Sequence, residues 1–235
     1  MMPTLIVTRP AKQGEEFARV MRDRFGDRVE IVLSPLIEIV PVPVNVDLEH
    51  LSGVIFTSVH AVNAVELPAG ITAWCVGPRT AACATKAGFH AITGPGDAKA
   101  LCDVIQKQAP CGPLAHIRGV HTRGEIARTL TKAGLPCGDV VAYEQQDLPL
   151  NSDALSVLKG EFPVVLPLFS PRTATIFSSQ RPFVAPLHLV VMSNVVKKAT
   201  GTVDAQTIAV ASQPNGHSMI GATFARLDAL LNNVS

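Results

Sequence analysis

The chain has 235 residues, 47% of them hydrophobic and 17% charged, so it can bury a large core and lacks the composition of a disordered segment. Its 20 basic and 19 acidic residues give a net charge of +1 with no long basic run, which argues against nucleic acid as a partner. Five cysteines, odd in number and without a CxxC, fit a reduced, cytoplasmic setting and argue against a zinc site.

The first stretch, MMPTLIVTRP, lacks the basic and apolar regions of a signal peptide. No apolar run approaches the ~20 residues of a membrane span, so no membrane partner is expected. Thr4–Val7 predicts a strand, and Glu15–Phe25 a helix with Phe17, Val20, Met21 and Phe25 on one face. Val29–Leu33 is a second strand. In Ser34–Val46, Pro35, Pro41 and Pro43 forbid a helix and predict an extended connector. VIFTSVHAV (54–62) reads as a buried strand turning into a helix at Thr57 and Ser58. Strands follow at Ala73–Val76 and Ala91–Thr93, with helices over Arg79–Ala87 and Ala98–Gln108.

Leu114–Arg118 is the next strand, Arg123–Ala133 a helix stopped by Gly134, and Asp139–Tyr143 a strand. Gln145–Asn151 reads as a polar connector. Val164–Phe169, Leu187–Met192 and Thr207–Ala211 are strands, and Ile220–Leu231 is the last helix. Alternating strands and helices, with continuous apolar strands, predict parallel sheets covered on both faces. About ten strands is many for one sheet, so two sheets are expected.

The halves echo each other. IVTRPAKQGEEFAR (6–19) resembles HIRGVHTRGEIAR (116–128), and Phe56-Thr57-Ser58 resembles Leu168-Phe169-Ser170 at an offset of 112. AWCVGPRTAACATKAG (73–88) aligns in position with LVVMSNVVKKATG (189–201). The common order predicts a tandem duplication. Two assemblies satisfy it. In one, residues 1–112 and 113–235 fold separately. In the other, domain one is 1–35 with 152–235, domain two is 44–144, and 36–43 and 145–151 connect them. The proline-rich connector favours the second, which creates a cleft faced by both sets of strand ends.

The seven histidines are scattered without HExxH spacing, and His116 and His188 lie within strands and are assigned to the core. GPGDAK (94–99) begins like a dinucleotide loop but lacks its third glycine, and no P-loop or GxSxG occurs.

The segments VTRP (7–10), PLIEI (35–39), VIFTSVHAV (54–62), VGPRTAACATKAGF (76–89), HIRG with RGEIARTL (116–130), VVAYE (140–144), LFSPRTA (168–174) and IAVASQPN (208–215) together resemble the uroporphyrinogen-III synthase family. The resemblance implies two flavodoxin-like or Rossmann-like α/β lobes with parallel sheets, joined by a two-stranded connector. It implies a monomeric, cytoplasmic lyase without cofactor or metal. The reaction would be dehydrative cyclisation of hydroxymethylbilane with ring D inverted.

Such a substrate carries many carboxylates, which helix N-termini and arginines can meet. The implied contacts are Thr8, Arg9, Thr57, Ser58, Gly77, Arg79, Thr80, Arg118, Gly119, Ser170, Arg172 and Ser193, with Arg123 a further strand-end cation. Ser58 and Ser170 read equally well as plain helix caps. Tyr143, the only tyrosine, falls where the resemblance places a general acid for the departing hydroxyl. One departure is Ser193-Asn194-Val195-Val196, where Val196 replaces the hydroxyl equivalent to Thr80. A two-lobed small-molecule binding protein without chemistry is the alternative, and a nucleotide-dependent oxidoreductase a third.

Overall fold

The computed structural model describes residues 2–44, 50–121 and 125–232. They form two compact units, Met1–Glu38 with Gln146–Ser235, and Ile39–Gln145. The chain therefore passes twice from one unit to the other.

Unit one contains β1 (Thr4–Val7), α1 (Ala11–Phe25), a short 3-10 turn at Gly26–Arg28 and β2 (Glu30–Leu33). The connector strand β3 (Ile37–Pro41) carries the chain into unit two, with β4 (Gly53–Phe56), α2 (Val59–Asn63), β5 (Thr72–Cys75), α3 (Pro78–Lys86), β6 (His90–Thr93), α4 (Ala98–Gln108), β7 (Leu114–Gly119) and α5 (Ile126–Lys132). The strand β8 (Cys137–Asp147) carries it back to α6 (Ser152–Leu158), β9 (Val164–Leu168), α7 (Pro171–Ser178), β10 (Leu187–Val191), α8 (Asn194–Ala199), β11 (Thr207–Val210) and α9 (Gly216–Asn232).

The first sheet has the order β11-β10-β9-β1-β2 and the second β3-β8-β7-β4-β5-β6. Within each, the pairings of β1, β2, β9, β10 and β11 and of β4 to β8 are parallel. Central strands are buried from end to end, as in β4, β9 and β10, because helices cover both faces. In unit one, Leu5 and Val7 face Phe17, Met21 and Leu227, while Ile6 faces the cluster of Leu166, Phe177 and Leu189. In unit two, Val54 and Phe56 pack with Ala61, Ala84 and Phe89, and Ile55 with Trp74, Leu101 and Leu130.

Numbered by their place within unit one, its strands run 2-1-3-4-5, the flavodoxin-like order. The order β8-β7-β4-β5-β6 is the same if β7 is taken as strand one. Unit two is thus a circularly permuted copy. Apart from the connector strand β3, each sheet takes two consecutive strands from one half of the chain and three from the other.

Four elements differ from expectation. Helices α1 and α9 begin earlier than their apolar faces indicate, at Ala11 and Gly216. Strand β8 runs on through Asp147, although Gln145 and Gln146 are polar. It pairs there with the connector: Val42 N–H donates to Ala142 O and Leu148 N–H to Leu36 O, both at 2.9 Å. Rising numbers on one strand meet falling numbers on the other, so this ladder is antiparallel. Pro41 is accommodated because β3 is an edge strand. Helix α6 was not expected at all. Asn151 starts it by accepting the Ala154 N–H at 2.9 Å. Val46, in the predicted connector, and Arg123, at the predicted helix start, lie outside the described residues.

Candidate active site

In an open parallel sheet, ligands bind at the carboxyl ends of strands where the winding direction reverses. In unit one the reversal falls between β1 and β9, so Thr8, Arg9, Phe169 and Ser170 stand beside it. Thr8 is buried and donates its hydroxyl to Pro167 O at 3.5 Å. The Arg9 guanidinium lies 4.2 Å from the Phe169 ring centroid, and Phe17 meets that ring edge-on at 5.3 Å. The Phe169 ring, itself packed on Phe17, holds the cation at the strand ends. Ser170 caps α7: its hydroxyl oxygen accepts the Thr173 N–H at 3.1 Å, and its own N–H donates to Thr173 Oγ1 at 3.3 Å. This closes a capping box. Arg172 donates from Nε and Nη2 to Asp147 Oδ1 at 2.9 and 2.6 Å. One strand further out, Ser193 caps α8 by accepting the Val196 N–H at 3.4 Å. Val196 itself is buried, so a hydroxyl there would enter the core.

In unit two the reversal falls between β7 and β4. Thr57, Ser58, Arg118 and Gly119 stand there. Ser58 caps α2, accepting the His60 N–H at 3.1 Å. A register shift between Arg118 and Gly119 sets Gly119 opposite Tyr143. A Cβ on Gly119 would stand 2.7 and 2.8 Å from two atoms of the tyrosine ring, so only glycine admits the ring at that spot. Tyr143 is 5% exposed, packed in the cluster of Phe56, Ala61 and Val62. The His60 ring centroid is 5.8 Å away. Arg118 Nη1 donates to the Gly119 and Val120 carbonyls at 3.0 and 3.3 Å, pinning the turn after β7.

A polar chain runs through the same strands. Thr57 Oγ1 is 3.4 Å from His116 Nε2, and His116 Nδ1 is 2.9 Å from Asp139 Oδ1. Arg118 Nε lies 3.1 Å from the same carboxylate oxygen, but it is not aligned for a hydrogen bond and is buried without one. His116 is 1% exposed. Burial lowers its pKa below the ordinary 6.5 against the opposing pull of Asp139, with Arg118 adding to the lowering. The sequence reading placed His116 in the core and passed over Asp139. No local spacing betrays them, because β7 and β8 bring together residues far apart in sequence. The legible signal was a histidine inside an apolar strand, which must find a partner.

Gly77, Arg79 and Thr80 follow β5, one strand outward from the reversal. Gly77 caps α3 without a side-chain bond, Arg79 is exposed, and Thr80 is buried at 6%. The structure therefore gathers Thr8, Arg9 and Ser170 in one unit, and Thr57, Ser58, Arg118, Gly119 and Tyr143 in the other. The GPGDAK turn has its own local explanation. A Cβ on Gly94 would strike Cys75 O at 2.7 Å, and Asp97 caps α4 by accepting the Ala100 N–H at 2.9 Å. Among the described residues no three His, Cys, Asp or Glu side chains are grouped to hold a metal. No described helix is long and apolar enough to cross a membrane.

A family model for uroporphyrinogen-III synthase HemD matches residues 16–221. Among solved structures, a uroporphyrinogen-III synthetase from Helicobacter pylori superposes with a TM-score of 0.66 at 15% identity, covering 96% of this chain and 100% of that one. A mutant uroporphyrinogen III synthase from Thermus thermophilus superposes with a TM-score of 0.50 at 14% identity, covering 99% of this chain and 100% of that one. At such identities the structural likeness speaks to the fold, and the family model carries the membership. No curated protein matches the chain by sequence.

Proposed function

The chain belongs to the uroporphyrinogen-III synthase family, and from that premise we propose which of its residues serve the reaction. The reaction is the dehydrative cyclisation of hydroxymethylbilane with inversion of ring D, a lyase step of tetrapyrrole and heme biosynthesis. The observation that carries the site assignment is the placement of Tyr143. Its ring is fixed against Gly119 at the reversal of the second sheet, by a contact no other residue at position 119 would allow.

Tyr143 serves as general acid. Its phenol donates to the hydroxyl that leaves the bilane, or hydrogen-bonds it as water departs. The rest of the task is holding geometry while the ring inverts. Substrate carboxylates are met by hydroxyls and helix N-termini at Ser58, Ser170 and Ser193, by the turns at Gly77 and Gly119, and by Thr8 and Thr80. Arg9, Arg79, Arg118 and Arg172 supply positive charge around them. Arg172 exchanges Asp147 for a substrate carboxylate, since both are the same chemical partner. The enzyme works as a cytoplasmic monomer on a free small molecule, without cofactor, metal, nucleic acid or membrane. Domain two, residues 44–144, folds independently of domain one, residues 1–35 with 152–235.

The test is to supply hydroxymethylbilane to the purified, exhaustively chelated protein, oxidise the products and identify the uroporphyrin isomer. The type III isomer is expected. Only the uninverted isomer would sink the assignment, and activity that a metal alone restores would sink the cofactor-free part.

A further inference from the structure

The polar chain from Thr57 through the buried His116 to Asp139 has a direction. A carboxylate accepts hydrogen bonds, so the His116 nitrogen facing Asp139, Nδ1, carries the ring proton. A neutral imidazole carries one such proton, and burial holds this one neutral. Its Nε2 is then a bare acceptor, and the group facing it is the Thr57 hydroxyl. Thr57 must donate its only hydroxyl hydrogen inward. What remains to offer at the carboxyl end of β4 is the pair of lone pairs on Oγ1.

A hydroxyl committed in this way cannot donate to a carboxylate. It fits a donor. On the bilane the carboxylates accept; its donors are the pyrrole N–H groups and the terminal hydroxyl, and the hydroxyl is the leaving group assigned to Tyr143. The fold does not require this arrangement. The third residues of β7 and β8 are His116 and Asp139, whereas the third residues of β1 and β2, in the unit of matching strand order, are Ile6 and Val32. We propose that His116 and Asp139 are positioning residues that fix Thr57 as a hydrogen-bond acceptor for a pyrrole N–H of the substrate, an inference that rests on the synthase reading above. Thr57 thereby leaves the set of carboxylate donors and becomes a reader of the tetrapyrrole's backbone.

Two measurements on the full chain test this. The first is the 15N spectrum of the His116 ring, which reports its tautomer without substrate. The Nδ1–H form with unprotonated Nε2 is expected at pH 7. An Nε2–H form, or a doubly protonated ring, overturns the proposal, because Thr57 would then donate outward.

The second is steady-state kinetics with hydroxymethylbilane. Thr57→Val keeps the shape and removes the acceptor, so KM should rise about tenfold, the worth of one hydrogen bond of about 1.4 kcal/mol. The kcat should change little, and Thr57→Ser should restore KM. Asp139→Asn lets the imidazole take either tautomer and should raise KM in the same direction. The Thr57→Val/Asp139→Asn pair should be no worse than Thr57→Val alone, since both act through one bond. An unchanged KM in Thr57→Val, or additive losses in the pair, overturns the proposal. Should Thr57→Val fail to fold, Asp139→Asn carries the test alone, because its side chain is 42% exposed. A wild type that makes no type III isomer removes the pyrrole as ligand, while the tautomer still decides the polarity of Thr57.

Discussion

At the third pairing step of β1 with β2, Ile6 meets Val32, and at the third step of β7 with β8, His116 meets Asp139. At the neighbouring strand end the contrast continues: Phe169, at the matching position before the helix cap, packs on Phe17, while Thr57 hydrogen-bonds His116. The strand order is the same in both units. Apolar residues satisfy it with no further condition. Polar ones must be desolvated and must find partners. At this pairing step unit one shows that the fold does not need a polar pair, so the one in unit two is not demanded by folding.

The largest effect should come from Tyr143 in unit two, the chain's only tyrosine. Tyr143→Phe keeps the packed ring and should lower kcat by roughly tenfold to a thousandfold, the span from weak assistance to ordinary general acid catalysis. The melting temperature should hold. Wild-type turnover in the purified variant would remove the phenol from the mechanism.

Next comes making unit two copy unit one. His116→Ile with Asp139→Val replaces the buried histidine and its part-exposed carboxylate partner by apolar residues, and removing both partners together leaves no unpaired buried group, so the change can be close to neutral. The thermal midpoint should stay level or rise, while KM for hydroxymethylbilane rises about tenfold with the lost Thr57 polarity. A collapse of the midpoint would show that the pair is structural and that the comparison misleads.

Smaller differences should separate the two caps. Ser170 sits in a capping box on an eight-residue helix, and Ser58 makes one bond on a five-residue helix. Each Ser→Ala change should cost about 0.5–2 kcal/mol in urea denaturation, with Ser170 at the upper end and Ser58 at the lower. Equal costs would mean that the box adds nothing.

The smallest effect is a slope with pH. Burial lowers the pKa of both His116 and His188 below 6.5. The unfolded chain then binds more protons as the pH falls through that value. Their contribution is complete above pH 6.5 and is lost as acid titrates through each depressed folded pKa. The groups facing His116 are Asp139, Arg118 and the adjoining Cys137, and Arg226 faces His188. The His116→Ile/Asp139→Val variant should lose part of the acid-side slope of the urea midpoint, and His188 contributes to what remains. An unchanged slope would show that His116 is not titrating against its surroundings.

How much of this could be read beforehand follows from the range of the physics. Periodicity over a few residues revealed β1, β4 and α4, because their patterns are local and continuous. The serine caps at Ser58 and Ser170 were visible for the same reason. Strand β8 was cut short because pairing with an edge strand, not apolarity, extends it through Asp147. Helix α6 was missed because its seven residues bury only Ala154 and Leu158, too few to show a face. Tyr143 stands out in the sequence, but the glycine that makes room for its ring, Gly119, reads there only as a substrate contact. His116 and Asp139 were beyond reach, since their meaning arises from strand pairing across the sheet.

The double passage of the chain between units also sets an order of assembly on the ribosome. All strands of unit two have been synthesised once β8 is made. Strands β1 and β2, made first, still lack β9, β10 and β11, which follow some seconds later at about 5–20 residues per second. Leu5, Ile6 and Val7 are fully buried in the finished protein, yet the strands β9, β10 and β11 that complete their sheet do not exist when β1 leaves the ribosome. Until β9 is made, this apolar stretch has only β2 to pair with, and it is the stretch a chaperone would have to shield.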